Sequence, residues 1–211
     1  MNDHKPLRLV AFASGRGSNV AAIAQHIRNG ELNAVIAAVI SNNSTSGVLE
    51  FAREQGIQAF HISQKQFDGD EDFEDHILKV LADLEADLVI LAGYMKKMPK
   101  RIIQTFQNRM LNIHPALLPS FGGKGMYGHY VHEAVLNYGC KVSGVTVHLV
   151  DAGYDTGAPI LQRCVPVKED DTPETLAARV LKVEHSIYSE AIQLFATNRV
   201  RIKGRHIKIL P

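Results

Sequence analysis

Short apolar runs alternate with amphipathic segments through the first two thirds of the chain, and this alternation constrains the fold more than any other feature. The run Asn33–Ser41 is almost continuously apolar, as expected for a strand that is covered on both faces of a parallel sheet. Repeated strand–helix–strand units form right-handed crossovers, which indicates a doubly wound sheet. The predicted strands are Leu7–Ala13, Asn33–Ser41, Gln58–Ile62, Leu88–Ala92 and Met110–His114, and the predicted helices are Val20–Asn29, Gly47–Gln55, Asp70–Leu84 and a short one opened by Pro99.

The pattern changes after Pro119. The segment Ser120–His129 holds four glycines and has no periodicity, which predicts a loop. The remaining predicted elements are a helix over His132–Tyr138, an antiparallel pair of strands over Lys141–Val150 and Pro159–Val167, an amphipathic helix over Pro173–Thr197 and a small hairpin around Gly204. The expected fold class is therefore α/β, a doubly wound and mostly parallel sheet with an antiparallel C-terminal extension, in a single domain over residues 1–211.

Composition narrows the classes of partner. The 23 Lys and Arg residues nearly balance the 22 Asp and Glu residues, and a net charge of +1 provides no general attraction to nucleic acid or to an anionic membrane. Met1–Pro6 is polar, and no apolar run approaches the roughly 18 residues of a membrane span. Cys140 and Cys164 lack the spacing of metal ligands and indicate reduced core residues. We expect a soluble cytoplasmic protein, monomer or homodimer, that binds neither nucleic acid nor a membrane.

One strand end carries an amide and an imidazole. Asn112 and His114 are two residues apart, so on an extended backbone their side chains leave the same face. Pro115 cannot continue a central strand, and α/β proteins keep their chemistry where strands end. The spacing alone leaves two interpretations open, a catalytic pair or a strand end with incidental polar residues.

The loop Ser14–Asn19, which reads Ser-Gly-Arg-Gly-Ser-Asn, joins the first strand to the first helix. Its glycines permit a tight turn, and the amides of a helix N-terminus bind anions. A dinucleotide fingerprint would place a third glycine at Val20 and an acid near Asn42, and a P-loop would end in Gly-Lys-Ser or Gly-Lys-Thr. The loop therefore favours a mononucleotide-type phosphate, and a plain strand–helix turn is the alternative.

Several other polar residues have two interpretations. Asp155 lies in a turn and either caps that turn or takes part in chemistry. Glu184 lies beside the buried stripe of the last predicted helix, where an acid needs a partner unless it reaches solvent. His148 alternates with apolar residues and is interpreted as a core histidine. His129 and His132 have a spacing that is only weakly suggestive of a metal, so we expect no metal site.

These segments together resemble the phosphoribosylglycinamide formyltransferase family, the folate-dependent transformylases of purine biosynthesis. The matching motifs keep the family's order and extend over nearly the whole chain. They are Ser14–Asn19, Val39–Asn42, Leu91–Met95, Asn112–Pro119, Ser143–His148, Asp155–Gly157, Ile160–Gln162 and Glu184-His185.

The resemblance implies a Rossmann-like formyltransferase fold, with a phosphate-binding or mononucleotide-binding half over about residues 1–105 and a catalytic, folate-binding half over about residues 106–211. It implies transfer of the formyl group of 10-formyltetrahydrofolate, the co-substrate, to the amine of glycinamide ribonucleotide. The implied catalytic residues are Asn112, His114 and Asp155. The implied residues for the phosphate and the glycinamide substrate are Gly15, Arg16, Gly17, Ser18, Asn19 and Glu184. The implied folate-binding residues are Met95, Lys96, Lys97, Met98, Asn112, Asp151, Ala152, Gly153, Tyr154 and Asp155.

The resemblance also implies a mechanism. The amine would attack the formyl carbon directly, without a metal. A protonated His114 and the Asn112 amide would stabilise the oxyanion, and Asp155 would keep His114 charged and assist the relay of the amine proton.

Two departures and three rivals accompany the resemblance. Asp70 stands where the family often has an arginine near the folate tail, so Lys96 or Lys97 is expected to replace it. The segment Gly122–His132 is hypothesised to be a mobile lid.

Three alternative functions are considered. One is a formyltetrahydrofolate deformylase, which normally carries an N-terminal regulatory domain. Another is a methionyl-tRNA formyltransferase, which needs a C-terminal domain and a basic surface, and the third is a non-catalytic nucleotide-binding module.

Overall fold

The chain folds around a seven-stranded sheet, as seen in a computed structural model that describes residues 5–211. Its strands are β1 (Leu7–Phe12), β2 (Ala34–Ser41), β3 (Gln58–His61), β4 (Leu88–Leu91), β5 (Met110–His114), β6 (Val142–Leu149) and β7 (Pro159–Pro166). The helices are α1 (Ser18–Arg28), α2 (Gly47–Glu54), α3 (Asp70–Asp83), α4 (Lys100–Thr105), α5 (His129–Asn137) and α6 (Pro173–Ala196), with a 3-10 turn at Gln64–Gln66. A separate hairpin joins β8 (Val200–Lys203) to β9 (His206–Ile209).

The strand order is β3-β2-β1-β4-β5-β6-β7. Strands β1 to β5 are parallel, and β6 and β7 continue the sheet in antiparallel orientation. The order reverses direction between β1 and β4, which is the switch point where open α/β sheets bind ligands. The predicted fold class, with its antiparallel extension, is confirmed.

Helix α5 begins three residues earlier than predicted, at His129 instead of His132. The glycine-rich loop ends at Gly128, whose φ of 51° stops any continuous helix before it. Val131 and Val135, four residues apart, are fully buried and fix the inner face of α5. The sequence pattern could not predict that α5 begins at His129, because the glycine-rich segment before it has no helical periodicity.

Apolar side chains fill both faces of the sheet. One layer lies between the sheet and α1, α2, α5 and α6, and the other lies between the sheet and α3 and α4. The buried hydroxyl of Tyr188 on α6 lies 3.0 Å from the carbonyl oxygen of Leu91 and 3.2 Å from that of Leu111. This hydroxyl ties α6 to the two central strands that support the site. Within residues 5–211 we find no helix long and apolar enough to cross a membrane.

Candidate active site

The carboxyl-terminal end of β5 is the centre of the site. Asn112 and His114 leave the same face of this strand, as predicted, and the antiparallel register places His148 of β6 opposite Asn112. The turn after His114 is fixed from β6. Thr146 donates to the Ala116 carbonyl at 2.7 Å and accepts from the Leu118 amide at 3.0 Å. The backbone that follows His114 is therefore held by hydrogen bonds, so the imidazole is fixed in place.

The His114 ring is held by a hydrogen bond through one of its two nitrogens. Its Nε2 lies 2.8 Å from the carbonyl oxygen of Phe121, so Nε2 carries the proton and donates it to that oxygen. Its Nδ1 lies 3.6 Å from Oδ2 of Asp155, too far for a direct hydrogen bond. Nδ1 is thus the ring nitrogen that remains free to exchange a proton.

Burial lowers the pKa of His114 below its ordinary value. The nearby Asp155 carboxylate and the bond to Phe121 act in the opposite direction but do not outweigh burial. The unliganded site therefore holds a neutral imidazole at pH 7. The protonated His114 that the resemblance implies belongs to the reacting complex and stays a prediction, because the sequence does not reveal how completely the ring is removed from water.

His148 also belongs to the site, although its alternation with apolar residues predicts only a core histidine. Its ring is buried, as a core histidine would be, but it lines the same cavity as Asn112. Nδ1 of His148 donates to the Leu149 carbonyl at 2.7 Å, which leaves Nε2 to accept from the Asn112 amide at 3.1 Å. His148 therefore orients the Asn112 amide group.

Asp155 has a left-handed backbone conformation, with a φ of 56°, and its carboxylate lies near three polar groups. Its Oδ2 accepts from the Gly123 amide at 3.0 Å, and its Oδ1 lies 3.4 Å from the Asn112 amide nitrogen and 3.7 Å from Nε2 of His148. Burial alone would raise the pKa of this carboxyl, but His148, His114 and the Gly123 amide together lower it. Asp155 is therefore a carboxylate at neutral pH.

The phosphate loop lies beside this centre. Gly17 has a φ of 80°, and a Cβ added there would lie 2.3 Å from a methyl carbon of Val48, so only glycine fits. Gly15, Arg16 and Ser18 are exposed around the N-terminus of α1, whose first amides have no partner within the helix. The loop is thus open to an anion.

Asn19 links this loop to α6. Its side-chain amide donates to Oε2 of Glu184 at 2.8 Å, while its buried Oδ1 has no partner among the described residues. Burial raises the pKa of Glu184, and the bond from Asn19 opposes this rise. A polar ligand group would satisfy the free oxygen of Asn19.

One cavity of about 530 Å³ extends from the end of β5 to Asn19 and Glu184. Asn19 and Glu184 lie on its wall together with Asn112, His114, His148 and Asp155. All the predicted folate-binding residues except Ala152 also line it, and so does Gly123–Gly128 of the glycine-rich loop.

Four of the residues predicted to bind the phosphate do not line this cavity, namely Gly15, Arg16, Gly17 and Ser18. Asp70 does not line it either, and its carboxylate accepts from the Gln64 side chain at the start of α3.

No group of three or more His, Cys, Asp or Glu side chains within residues 5–211 is arranged to hold a metal ion. His129 and His132, the two histidines with a spacing weakly suggestive of a metal site, differ in their exposure to solvent. His129 is exposed beside Glu133 and Glu174, whereas His132 is buried.

Comparisons with known proteins find similar sequences and structures along nearly the whole chain. The model of the formyl transferase family matches residues 7–192. The chain is 41% identical over 203 residues to the chloroplastic phosphoribosylglycinamide formyltransferase of Arabidopsis thaliana, covering 95% of this chain and 70% of that protein. The crystal structure of glycinamide ribonucleotide transformylase 1 from Symbiobacterium toebii superposes with a TM-score of 0.92 at 41% identity, covering 98% of this chain and 95% of that one.

The fold is also found in a hydrolase. A formyltetrahydrofolate deformylase from Pseudomonas syringae superposes with a TM-score of 0.87 at 24% identity, covering 98% of this chain and 66% of that one. At this identity the likeness concerns the fold alone.

Proposed function

The chain belongs to the phosphoribosylglycinamide formyltransferase branch of the formyl transferase family, and from this premise we propose that it transfers the formyl group of 10-formyltetrahydrofolate to the primary amine of 5-phosphoribosylglycinamide, a step of purine biosynthesis. One observation carries the proposal. Asn112, His114 and Asp155 converge on a single cavity, and a phosphate-type loop lies beside one wall of that cavity. We propose that the enzyme acts in the cytoplasm, while the Arabidopsis relative is named as chloroplastic.

The two substrates enter from different walls of the cavity. The phosphate of the glycinamide substrate lies on the amides of Gly17, Ser18 and Asn19 at the start of α1. Glu184, on the same wall as Asn19, contacts the polar part of this substrate and directs its amine toward β5. The pterin of the folate lies between the segment Met95–Met98 and the loop Asp151–Asp155.

The reaction begins when the lone pair of the amine attacks the formyl carbon. The carbonyl oxygen becomes an oxyanion and the amine nitrogen gains positive charge. The Asn112 amide releases its 3.4 Å contact with Asp155 and donates to the oxyanion. One such donor is worth about 3 kcal/mol of transition-state stabilisation.

Proton transfer completes the reaction. His114 starts neutral, so Nδ1 can take up a proton as charge develops, and the Asp155 carboxylate 3.6 Å away stabilises the imidazolium that forms. The intermediate collapses when the bond between the formyl carbon and N10 of the folate breaks and the proton held on Nδ1 of His114 passes to N10, which returns the imidazole to its neutral form. The products are tetrahydrofolate and the formylated amide, and no covalent intermediate forms on the enzyme.

A deformylase would pass the formyl group to water on the same three residues. Two observations favour the amine, namely the phosphate loop joined to the cavity through Asn19 and the 41% identity to named phosphoribosylglycinamide formyltransferases.

The test is to measure tetrahydrofolate release from 10-formyltetrahydrofolate with and without glycinamide ribonucleotide. The proposal expects release that depends on the amine substrate and equals its consumption. Equal rates with and without it would identify a hydrolase.

A further inference from the structure

The hydroxyl of Ser14 lies where three neighbouring strands of the sheet end. Ser14 follows β1, Asn42 follows β2 and Met95 belongs to the segment after β4. The strand order β2-β1-β4 places Ser14 in the middle, so its side chain can reach residues on both sides. The hydroxyl donates to Oδ1 of Asn42 at 2.5 Å and accepts from the backbone amide of Met95 at 2.8 Å.

The direction of these bonds gives each residue a distinct role. A hydroxyl has a single proton, and Asn42 accepts it, so a lone pair of the same oxygen faces the Met95 amide. Asn42 therefore orients the Ser14 hydroxyl, and the hydroxyl holds Met95. The backbone amide of Ser14 also donates to the Gly93 carbonyl at 3.0 Å. The segment after β4 is thus joined to Ser14 by one main-chain and one side-chain hydrogen bond.

Ser14 connects two segments that are assigned to different substrates. It is the first residue of the phosphate loop, whereas Met95 begins the segment Met95–Met98 on the pterin side of the cavity. Residues 92–99 form neither a helix nor a strand, so single hydrogen bonds fix where they lie. Ser14 itself is not among the residues that line the cavity. Its hydroxyl is therefore placed to fix one substrate-binding segment relative to the other without contacting a substrate.

We propose that Ser14, oriented by Asn42, is a positioning residue that sets the distance between the two bound substrates. This inference rests on the proposed function, in which an amine and a formyl group must meet in one cavity. By holding Met95 to the first residue of the phosphate loop, the hydroxyl keeps the formyl carbon within reach of the amine. It contributes to the rate of the reaction and not to the binding of either substrate alone.

The rate of a reaction between two bound groups is sensitive to such spacing. A misplacement of about 1 Å can lower a rate by about 100-fold. Removal of the hydroxyl leaves the main-chain bond between Ser14 and Gly93 in place, so the segment should move by less than this. The expected loss in kcat is therefore about tenfold.

The test compares Ser14→Ala with the wild type in the full chain. The kcat at saturating concentrations of both substrates should fall about tenfold. Calorimetric titration with glycinamide ribonucleotide alone and with tetrahydrofolate alone should give dissociation constants within twofold of the wild type. Ser44→Ala, on the exposed turn after Asn42, is the matched control and should keep the wild-type kcat.

A double-mutant cycle tests the part played by Asn42. Asn42→Ala removes the acceptor and lets the Ser14 hydroxyl rotate, so kcat should fall by a smaller factor than in Ser14→Ala. The double variant should have the same kcat as Ser14→Ala, because Asn42 acts through this hydroxyl. Losses that multiply in the double variant would overturn the inference.

Two results with Ser14→Ala would also overturn it. One is a kcat within twofold of the wild type. The other is a fall in kcat with an equal weakening of either substrate, which would locate the damage in one binding segment and not in the spacing.

These outcomes can be told apart from a failure of the proposed function. Wild-type release of tetrahydrofolate that does not depend on the amine substrate would reject the proposed function, and the inference with it. Amine-dependent release with an unchanged kcat in Ser14→Ala would reject the inference alone.

Discussion

Nδ1 of His114 lies 3.6 Å from Oδ2 of Asp155, while the other nitrogen of the same ring donates to the Phe121 carbonyl. The ring is thus fixed by the backbone of the glycine-rich loop and separated from the carboxylate by slightly more than a hydrogen bond. A neutral imidazole in this position can accept a proton next to an existing negative charge. The site is arranged to gain an ion pair as the reaction proceeds, since the charged form is favoured only when charge develops in the cavity.

We predict that His148→Leu lowers kcat about tenfold with little change in either Michaelis constant. The substitution removes the acceptor at 3.1 Å from the Asn112 amide, so that amide is no longer oriented toward the formyl oxygen. Steady-state kinetics with each substrate varied in turn would measure this. His148→Gln, which retains an acceptor, should recover part of the loss. Equal kcat in the wild type and in His148→Leu would show that Asn112 needs no partner.

We predict that Gly122→Ala lowers kcat/KM by tenfold or more. An added Cβ would lie 2.5 Å from a methyl carbon of Leu118 and 3.3 Å from Cβ of Asp155, so the Leu118 side chain must turn away and the Asp155 side chain must move by a few tenths of an ångström. Gly69→Ala is the matched control, since a Cβ there meets no atom within 4 Å. Wild-type kinetics in Gly122→Ala would exclude a role for this loop in shaping the site, and the lid hypothesis with it.

We predict that His132 makes the free energy of unfolding depend on pH. Burial, with smaller contributions from His129 and His114, lowers the pKa of His132 to about 4. The unfolded chain, with an ordinary histidine pKa near 6.5, binds more protons between about pH 4 and pH 6.5. Stability should therefore be complete above that window and should fall by on the order of 2 kcal/mol as the pH drops through it.

Urea denaturation at pH 4.5 and pH 7.5 would measure this change. His132→Gln should show a smaller pH dependence than the wild type, and the exposed His206→Gln should match the wild type. Identical pH dependence in His132→Gln and the wild type would contradict the assignment.

Much of the fold follows from sequence periodicity. The near-continuous apolar run of β2 and the alternating face of β5 are properties of single strands, and the sequence displays them directly. Asn112 and His114 could be placed on one face for this reason. The partner opposite Asn112 could not be placed, because cross-strand register depends on how β5 and β6 align. The alternation around His148 therefore predicts only a core residue.

The charge of His114 and the contacts of the glycine-rich loop could not be predicted from the sequence for a related reason. The Phe121 carbonyl and the Gly123 amide are backbone groups, which every sequence supplies, so no residue type signals them. The pKa of His114 depends on burial that only the packed site creates. The bond between the Ser14 hydroxyl and the Met95 amide likewise joins two loops 81 positions apart in the sequence.

The central claim is that Asn112, His114 and Asp155 form the reacting centre, with Asp155 stabilising the proton on His114. The most direct measurement is kcat of Asp155→Asn at saturating concentrations of both substrates, with His114→Ala beside it and the exposed His129→Ala as control. Asparagine keeps the size of the side chain but cannot stabilise an imidazolium by charge. We predict that kcat falls at least about 100-fold in both site variants, with an unchanged circular dichroism spectrum, because each change removes several kcal/mol of transition-state stabilisation. A kcat within threefold of the wild type in Asp155→Asn would contradict the account.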